Sequence, residues 1–154
     1  MKPLAFQDYF PDDVAICYGC GRNNPKGLQI KSYWEADEGI CRFLPESHHT
    51  AFPKVVYGGL IASLIDCHSI CTAMAHAYRL ENPDMTSAPD IYFVTAELNV
   101  RFLKPTPTET ELVLRAHVTE CETRKSYVHC SVFAQNIETA RGKVLAVRVP
   151  SYRP

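Results

Sequence analysis

Between residues 60 and 78 apolar side chains return every third or fourth position, at Leu60, Leu64, Cys67, Cys71, Met74 and Tyr78. That spacing predicts an α-helix. Ala62, Ile65, Ile70 and Ala73 fill much of the remaining circumference, so the helix must be buried on more than one side. Elsewhere the period is two. Leu28, Ile30, Ser32 and Trp34 alternate with Gln29, Lys31, Tyr33 and Glu35, which predicts a strand. The turn residues Asp37-Glu38-Gly39 lead into a second strand over 40–44, stopped by Pro45. Residues 45–56 and 79–90, with Pro53, Pro83 and Pro89, read as loops.

Three further alternations follow the helix. Val94, Ala96, Leu98, Val100 and Phe102 alternate with Thr95, Glu97, Asn99 and Arg101. Leu112, Leu114, Ala116 and Val118 form the next set, and Val128, Cys130, Val132 and Ala134 the third. A last strand over 144–149 is placed after a turn at Arg141-Gly142. The order is β-β-α-β-β-β-β, an α+β domain in which an antiparallel sheet grips one long helix. One sheet face covers only one side of such a helix. The surplus apolar surface predicts self-association.

At 154 residues the chain has the length of one domain, read here as 1–154 with 1–26 as an N-terminal extension carrying a CxxC turn. A formal charge of −1 and the absence of a basic run argue against nucleic acid. No uninterrupted apolar stretch of about 18 residues predicts a membrane span. The early acids Asp8, Asp12 and Asp13 do not fit a signal peptide. Seven cysteines, several inside apolar runs, read as reduced thiols, and the chain is expected to be cytoplasmic.

The first candidate for chemistry is Tyr57-Gly58-Gly59 followed by Asp66. Glycines at a helix start leave backbone amides open to an approaching carbonyl. Asp66 lies about two turns further along, in the apolar part of the helix. Burial there raises a carboxyl toward base strength, although a core Asp bonded to Ser63 or Ser69 fits the spacing equally well. Thr95, on the strand after the helix, is placed to orient a water beside Asp66, and equally to be an ordinary strand residue. Cys17-Tyr18-Gly19-Cys20 is a single CxxC. Zinc needs four ligands and no second pair follows at metal spacing, so the reading is a tight turn with buried thiols and no metal. His68 stands about 200° round the helix from Asp66 and reads as a packed or interface histidine. No GxSxG, P-loop or GxGxxG is present, which argues against serine hydrolase, nucleotide and dinucleotide chemistry.

Residues 57–66, Tyr57-Gly58-Gly59-Leu60-Ile61-Ala62-Ser63-Leu64-Ile65-Asp66, resemble the His-Gly-Gly-…-Asp segment of hotdog-fold acyl-CoA thioesterases of the PaaI-like kind. Residues 95–105 resemble the strand after that helix, Gly142-Lys143-Val144-Leu145-Ala146 the last strand, and the stretch from Cys17 through Cys20-Gly21 to Gly27-Leu28 the N-terminus of one bacterial branch. The resemblance implies a homodimer, often paired again into tetramers, with active sites at the dimer interface. It implies that Gly58 and Gly59 polarise a thioester carbonyl, and that Asp66 serves as general base or nucleophile with help from Thr95. Coenzyme A enters as part of the substrate, with no separate cofactor. Arg101, Lys104, Arg141 and Lys143 are expected to meet its phosphates. Two positions depart from the family: its His is Tyr57 here, and the position six residues earlier, often Asn or Gln, is Ala51. His49 stands nearby as a replacement. These departures leave open a protein that binds acyl groups without cleaving them. A hydratase is disfavoured by Tyr57, because that chemistry uses a His at the site.

Overall fold

The computed structural model describes residues 2–81, 84–86 and 90–150. The elements run β1 (Ser32–Glu35), β2 (Glu38–Phe43), β3 (Thr50–Phe52), β4 (Val55–Val56), α1 (Gly58–Glu81), β5 (Tyr92–Phe102), β6 (Leu112–Cys121), β7 (Lys125–Ala134) and β8 (Ile137–Val149). A 3-10 turn, Phe6–Tyr9, precedes them. Six strands form one antiparallel sheet in the order β1-β2-β6-β7-β8-β5. The predicted α+β hotdog architecture is therefore present. From β2 the chain crosses the sheet as α1, enters the opposite edge as β5, and returns to pair β6 with β2.

The alternation read from the sequence supplies the inner face of β6 and β7, and β8, longer than the predicted strand, adds to it. Leu112, Leu114 and Ala116 of β6, Val128, Cys130 and Val132 of β7, and Ala140, Val144 and Ala146 of β8 are buried against α1. The helix buries fourteen of its residues, from Leu60 to Tyr78. By length and composition α1 is apolar enough to cross a membrane, which the sequence reading had not allowed, but 61% of its most apolar window is buried inside the domain.

The helix's far side is covered in part within the chain itself. Residues 2–31 fold back over it, and Phe6, Cys20 and Ile30 join the same core cluster. A buried polar chain fixes this segment. Gln7 Nε2 donates to Ser32 Oγ (2.9 Å), and the Ser32 amide donates to Gln7 Oε1 (2.8 Å). His68 Nε2–H donates to the Gly39 carbonyl (2.9 Å), which leaves Nδ1 to accept from the Ser32 hydroxyl (2.8 Å). His68 is thus the packed histidine the spacing suggested. Burial holds its pKa down to about 4.

Several boundaries differ from the sequence reading. The helix continues through Arg79–Glu81, and the rest of the predicted 79–90 loop lies partly outside the described residues. The 45–56 loop contains the small β3–β4 hairpin. Residues 28–31 precede β1 and are not part of it. Arg141 and Gly142 lie inside β8, and the turn before it is Gln135-Asn136, both at positive φ (50° and 64°), as a two-residue hairpin with matching twist requires. Gly39 likewise belongs to β2. These glycines mark close approach to α1. A Cβ at Gly142 would come within 2.5 Å of Ile65 Cγ2, and one at Gly39 within 2.3 Å of Thr72 Oγ1.

Thr72 cannot easily yield, because its hydroxyl donates to the His68 carbonyl (2.8 Å). Gly39→Ala is therefore expected to destabilise the fold by ~1–3 kcal/mol through overpacking. Urea unfolding measures it, and a change below about 0.5 kcal/mol would show that α1 and β2 are not in tight contact there.

Candidate active site

Asp66 and Thr95 meet although 29 positions separate them. Thr95 Oγ1 donates to Asp66 Oδ1 at 2.5 Å. Asp66 is half-buried on α1 and Thr95 is exposed on β5, so the pair stands where the helix meets the edge strand of the sheet. Burial raises the Asp66 carboxyl above the ordinary carboxylate range. The Thr95 hydroxyl opposes that shift, and nearby Cys17 adds to it. The sequence reading had Thr95 placing a water. The structure has it holding the carboxylate itself.

A straight alternation puts Thr95 opposite Val100 and Phe102, away from the helix. A bulge between Thr95 and Glu97 resolves this: Thr95 pairs with Ala146 and Glu97 with Leu145, leaving Ala96 as the extra residue. Before the bulge Phe93 is buried in the core and Thr95 reaches Asp66. After it Val100 packs against the core and the Phe102 ring lies over the first turn of α1, 3.3 Å from where a Gly58 Cβ would stand. Glu97, Asn99 and Arg101 consequently point to the outer face.

At the helix start, Leu60 and Ile61 amides donate to the Tyr57 carbonyl, while the Gly58 and Gly59 amides find no acceptor among the described residues. They are the open donors of the helix N-terminus. The Tyr57 ring folds over Gly59, with its Cε1 only 2.4 Å from the position of a Cβ there. Tyr57 is 58% exposed and Phe102 55%, which gives the helix start an aromatic rim.

The remaining predicted residues are not gathered here. His49 Nδ1 accepts from the Glu46 amide (3.0 Å), its ring lies against Phe43 and His48, and its carbonyl accepts from the Tyr57 amide (3.0 Å). Ala51 is exposed on β3. Arg101, Arg141 and Lys143 line a cavity of about 590 Å³ with Glu97, Asn99 and His129 on the outer face of the sheet. Within one chain they face away from Asp66, and Arg141 is paired with Glu138 (2.7 Å). Lys104 is exposed in the loop after β5.

The sequence reading missed the surroundings of the CxxC. Its Cys17 Sγ lies 3.7 Å from Cys67 Sγ on α1, next to Asp66. The signal was Cys67 and Cys71, one helical turn apart and on one face, but only the fold shows what faces them.

Residues 53–141 match the thioesterase superfamily. The chain belongs to that superfamily. Among solved structures of the thioesterase superfamily, one from Shewanella loihica PV-4 is 40% identical, covers 92% of this chain and 100% of its own, and superposes with a TM-score of 0.68. The PaaI protein of the E. coli phenylacetic acid degradation operon shares the fold at 14% identity, covering 79% of this chain and 80% of its own, with a TM-score of 0.65. A curated relative, the acyl-coenzyme A thioesterase THEM4 of Rattus norvegicus, is 25% identical over 108 residues, 70% of this chain. The chain spans 41% of that relative's length.

Proposed function

We propose that this chain is an acyl-CoA thioesterase working as a homodimer, with Asp66 as general base or nucleophile. The observation that carries the reading is the Asp66–Thr95 pair: a carboxyl raised by burial and held by a hydroxyl through Oδ1, with Oδ2 available to take a proton from water. Superfamily membership and the acyl-CoA thioesterase relative support the substrate class. Water attacks the thioester carbonyl carbon, its proton passes to Asp66, and the coenzyme A thiolate leaves. In the nucleophilic variant Asp66 attacks instead, and water cleaves the resulting anhydride.

Helix geometry argues for two chains. Gly59 precedes Asp66 by seven residues, so the amide and the carboxylate lie roughly 10 Å apart along α1 at 1.5 Å per residue. Helix N–H groups also point toward the N-terminus, away from Asp66. One carbonyl cannot be held by those amides and attacked beside that carboxylate within a single chain. Across an interface it can, with Gly58 and Gly59 of the partner subunit serving as the oxyanion hole for Asp66 of the first chain. The edge of β5 beside Asp66, which pairs with no strand among the described residues and exposes Leu98 and Phe102, supplies the surface, and the two sheets would join there into one. Basic residues of the outer face, Arg101, Arg141 and Lys143, would then meet coenzyme A phosphates only through a further pairing of dimers.

A second reading, acyl-CoA binding without cleavage, is favoured by Tyr57, whose ring folds over Gly59 where the family has His. Thiol release from short, long and aromatic acyl-CoAs separates the two. Steady turnover with any of them supports the enzyme, and binding without turnover across the set supports the carrier. Light scattering at micromolar concentration is expected to give a dimer or a multiple of it, and a monomer would remove the shared site.

A further inference from the structure

Cys17, Cys20 and Cys67 hold their three sulfur atoms within 4.8 Å of one another. A tetrahedral zinc ion with zinc–sulfur bonds of about 2.3 Å spaces its sulfurs about 3.8 Å apart. The Cys17–Cys67 separation is 3.7 Å. Cys71 follows Cys67 by one helical turn and lines the same cavity, and its sulfur, outside the 4.8 Å group, has to move closer to complete a tetrahedral set. The N-terminal turn and α1 thus bring three sulfurs together, although 50 positions separate Cys17 from Cys67.

The turn is shaped around the sulfurs. Gly19 passes directly over the cluster. A Cβ there would fall 2.3 Å from Cys67 Sγ, so only glycine lets the turn close on the sulfur. The turn is held by Gly21 N to Cys17 O (2.8 Å), Leu28 N to Tyr18 O (2.7 Å) and Ile30 N to Gly19 O (3.1 Å). Cys17, Cys20, Cys67 and Cys71 all line one cavity of about 370 Å³, whose wall is otherwise mostly apolar, with Ile16, Ile70 and Met74, and carries one carboxylate, Asp13.

We infer that Cys17, Cys20 and Cys67 bind a zinc ion, with Cys71 as the fourth ligand, and that the ion pins the N-terminal segment to α1 beside Asp66. Each ligating thiol gives its proton to solvent as the metal binds, and no oxidation is involved. The set is closed and all-sulfur, which marks a structural site and not a catalytic one. The inference is independent of the thioesterase reading, since it concerns only how the N-terminal segment is anchored.

The test is metal analysis of the full chain, purified under reducing conditions, incubated with zinc and desalted. About one zinc per chain is expected, falling to about a tenth or less in Cys17→Ser/Cys20→Ser and unchanged in Cys121→Ser, whose thiol is exposed elsewhere. Cobalt loading identifies the ligands. Thiolate-to-cobalt charge transfer in the near ultraviolet, with intense visible bands of tetrahedral cobalt, supports the site and is lost in the single variant Cys17→Ser. That variant alters an exposed side chain and keeps the test valid if the double variant does not fold. Three results would overturn the inference. Wild type could bind no zinc with all seven cysteines titrating as free thiols. Cys17 and Cys67 could be joined in a disulfide under the same conditions. Or zinc could persist in the double variant, which would move it to Glu46, His48 and His49, a second cluster of ligating groups among the described residues.

Discussion

Asp66→Asn is expected to lower acyl-CoA turnover by about a hundredfold or more while leaving secondary structure and melting temperature near those of wild type. The substitution keeps the shape and the capacity to accept from Thr95, and removes only the group that takes a proton or attacks. The carboxyl has been raised by burial, so the neutral amide relieves a desolvation cost and the fold should not suffer. Thr95→Val breaks the same hydrogen bond from the other side. It should reduce turnover by a smaller factor of about ten, because the base remains but loses its fixed orientation. Thiol release for the three proteins, at matched concentration, checks both. Turnover retained in Asp66→Asn would remove the residue from the reaction and leave its burial to be explained by packing.

The second large effect concerns stability. His68 is fully buried, and its neutral ring is satisfied by Ser32 and Gly39, so burial lowers its pKa in the fold to about 4 from the ordinary 6.5. Between those values the unfolded chain binds more protons than the folded one, and stability therefore falls as pH falls. It is complete above about pH 6.5 and lost progressively toward pH 4, by ~3 kcal/mol for this group alone. Asp66, with a raised carboxyl, acts in the opposite sense, so Asp66→Asn is the cleaner background. His68→Gln in that background should be less stable at pH 7 but should flatten the pH dependence over this window. Urea midpoints at pH 7, 6 and 5 measure it. A slope that survives the substitution would assign the acid sensitivity elsewhere.

Much of this architecture was legible in the chain because burial writes a period into it. The run from Leu60 to Tyr78 could only be a helix, and the inner-face residues of β6 and β7 are those that alternate in the sequence. Asp66 drew notice as an acid in an apolar run. What escaped has physical causes. Gly39 and Gly142 looked like turns because glycine serves both turns and close contacts, and nothing local tells Thr72 or Ile65 overhead from a bend. The true turn at Gln135-Asn136 carries no glycine. The N-terminal segment shows no period because it is held by individual anchors, Phe6, Gln7, Cys20 and Ile30, and not by a regular element. The cysteine cluster depends on a contact between distant parts of the chain, which no spacing rule reports.

The extra residue at Ala96 has a further consequence for how this strand can change. It divides β5 into two reading frames. The first sets which residue meets the carboxylate, and the second sets which residues line the rim beside the helix start. Loss of one residue beyond the bulge would exchange Leu98, Val100 and Phe102 for Asn99 and Arg101 on the inner side and leave Thr95 in place. Loss of Ala96 itself would close the bulge and restore a straight alternation, with Thr95 and Leu98 still inward and Glu97 between them outward. The reacting group and the lining that selects its substrate are thus inherited on separate registers, so the lining can drift through small insertions and deletions while the chemistry stays where it is.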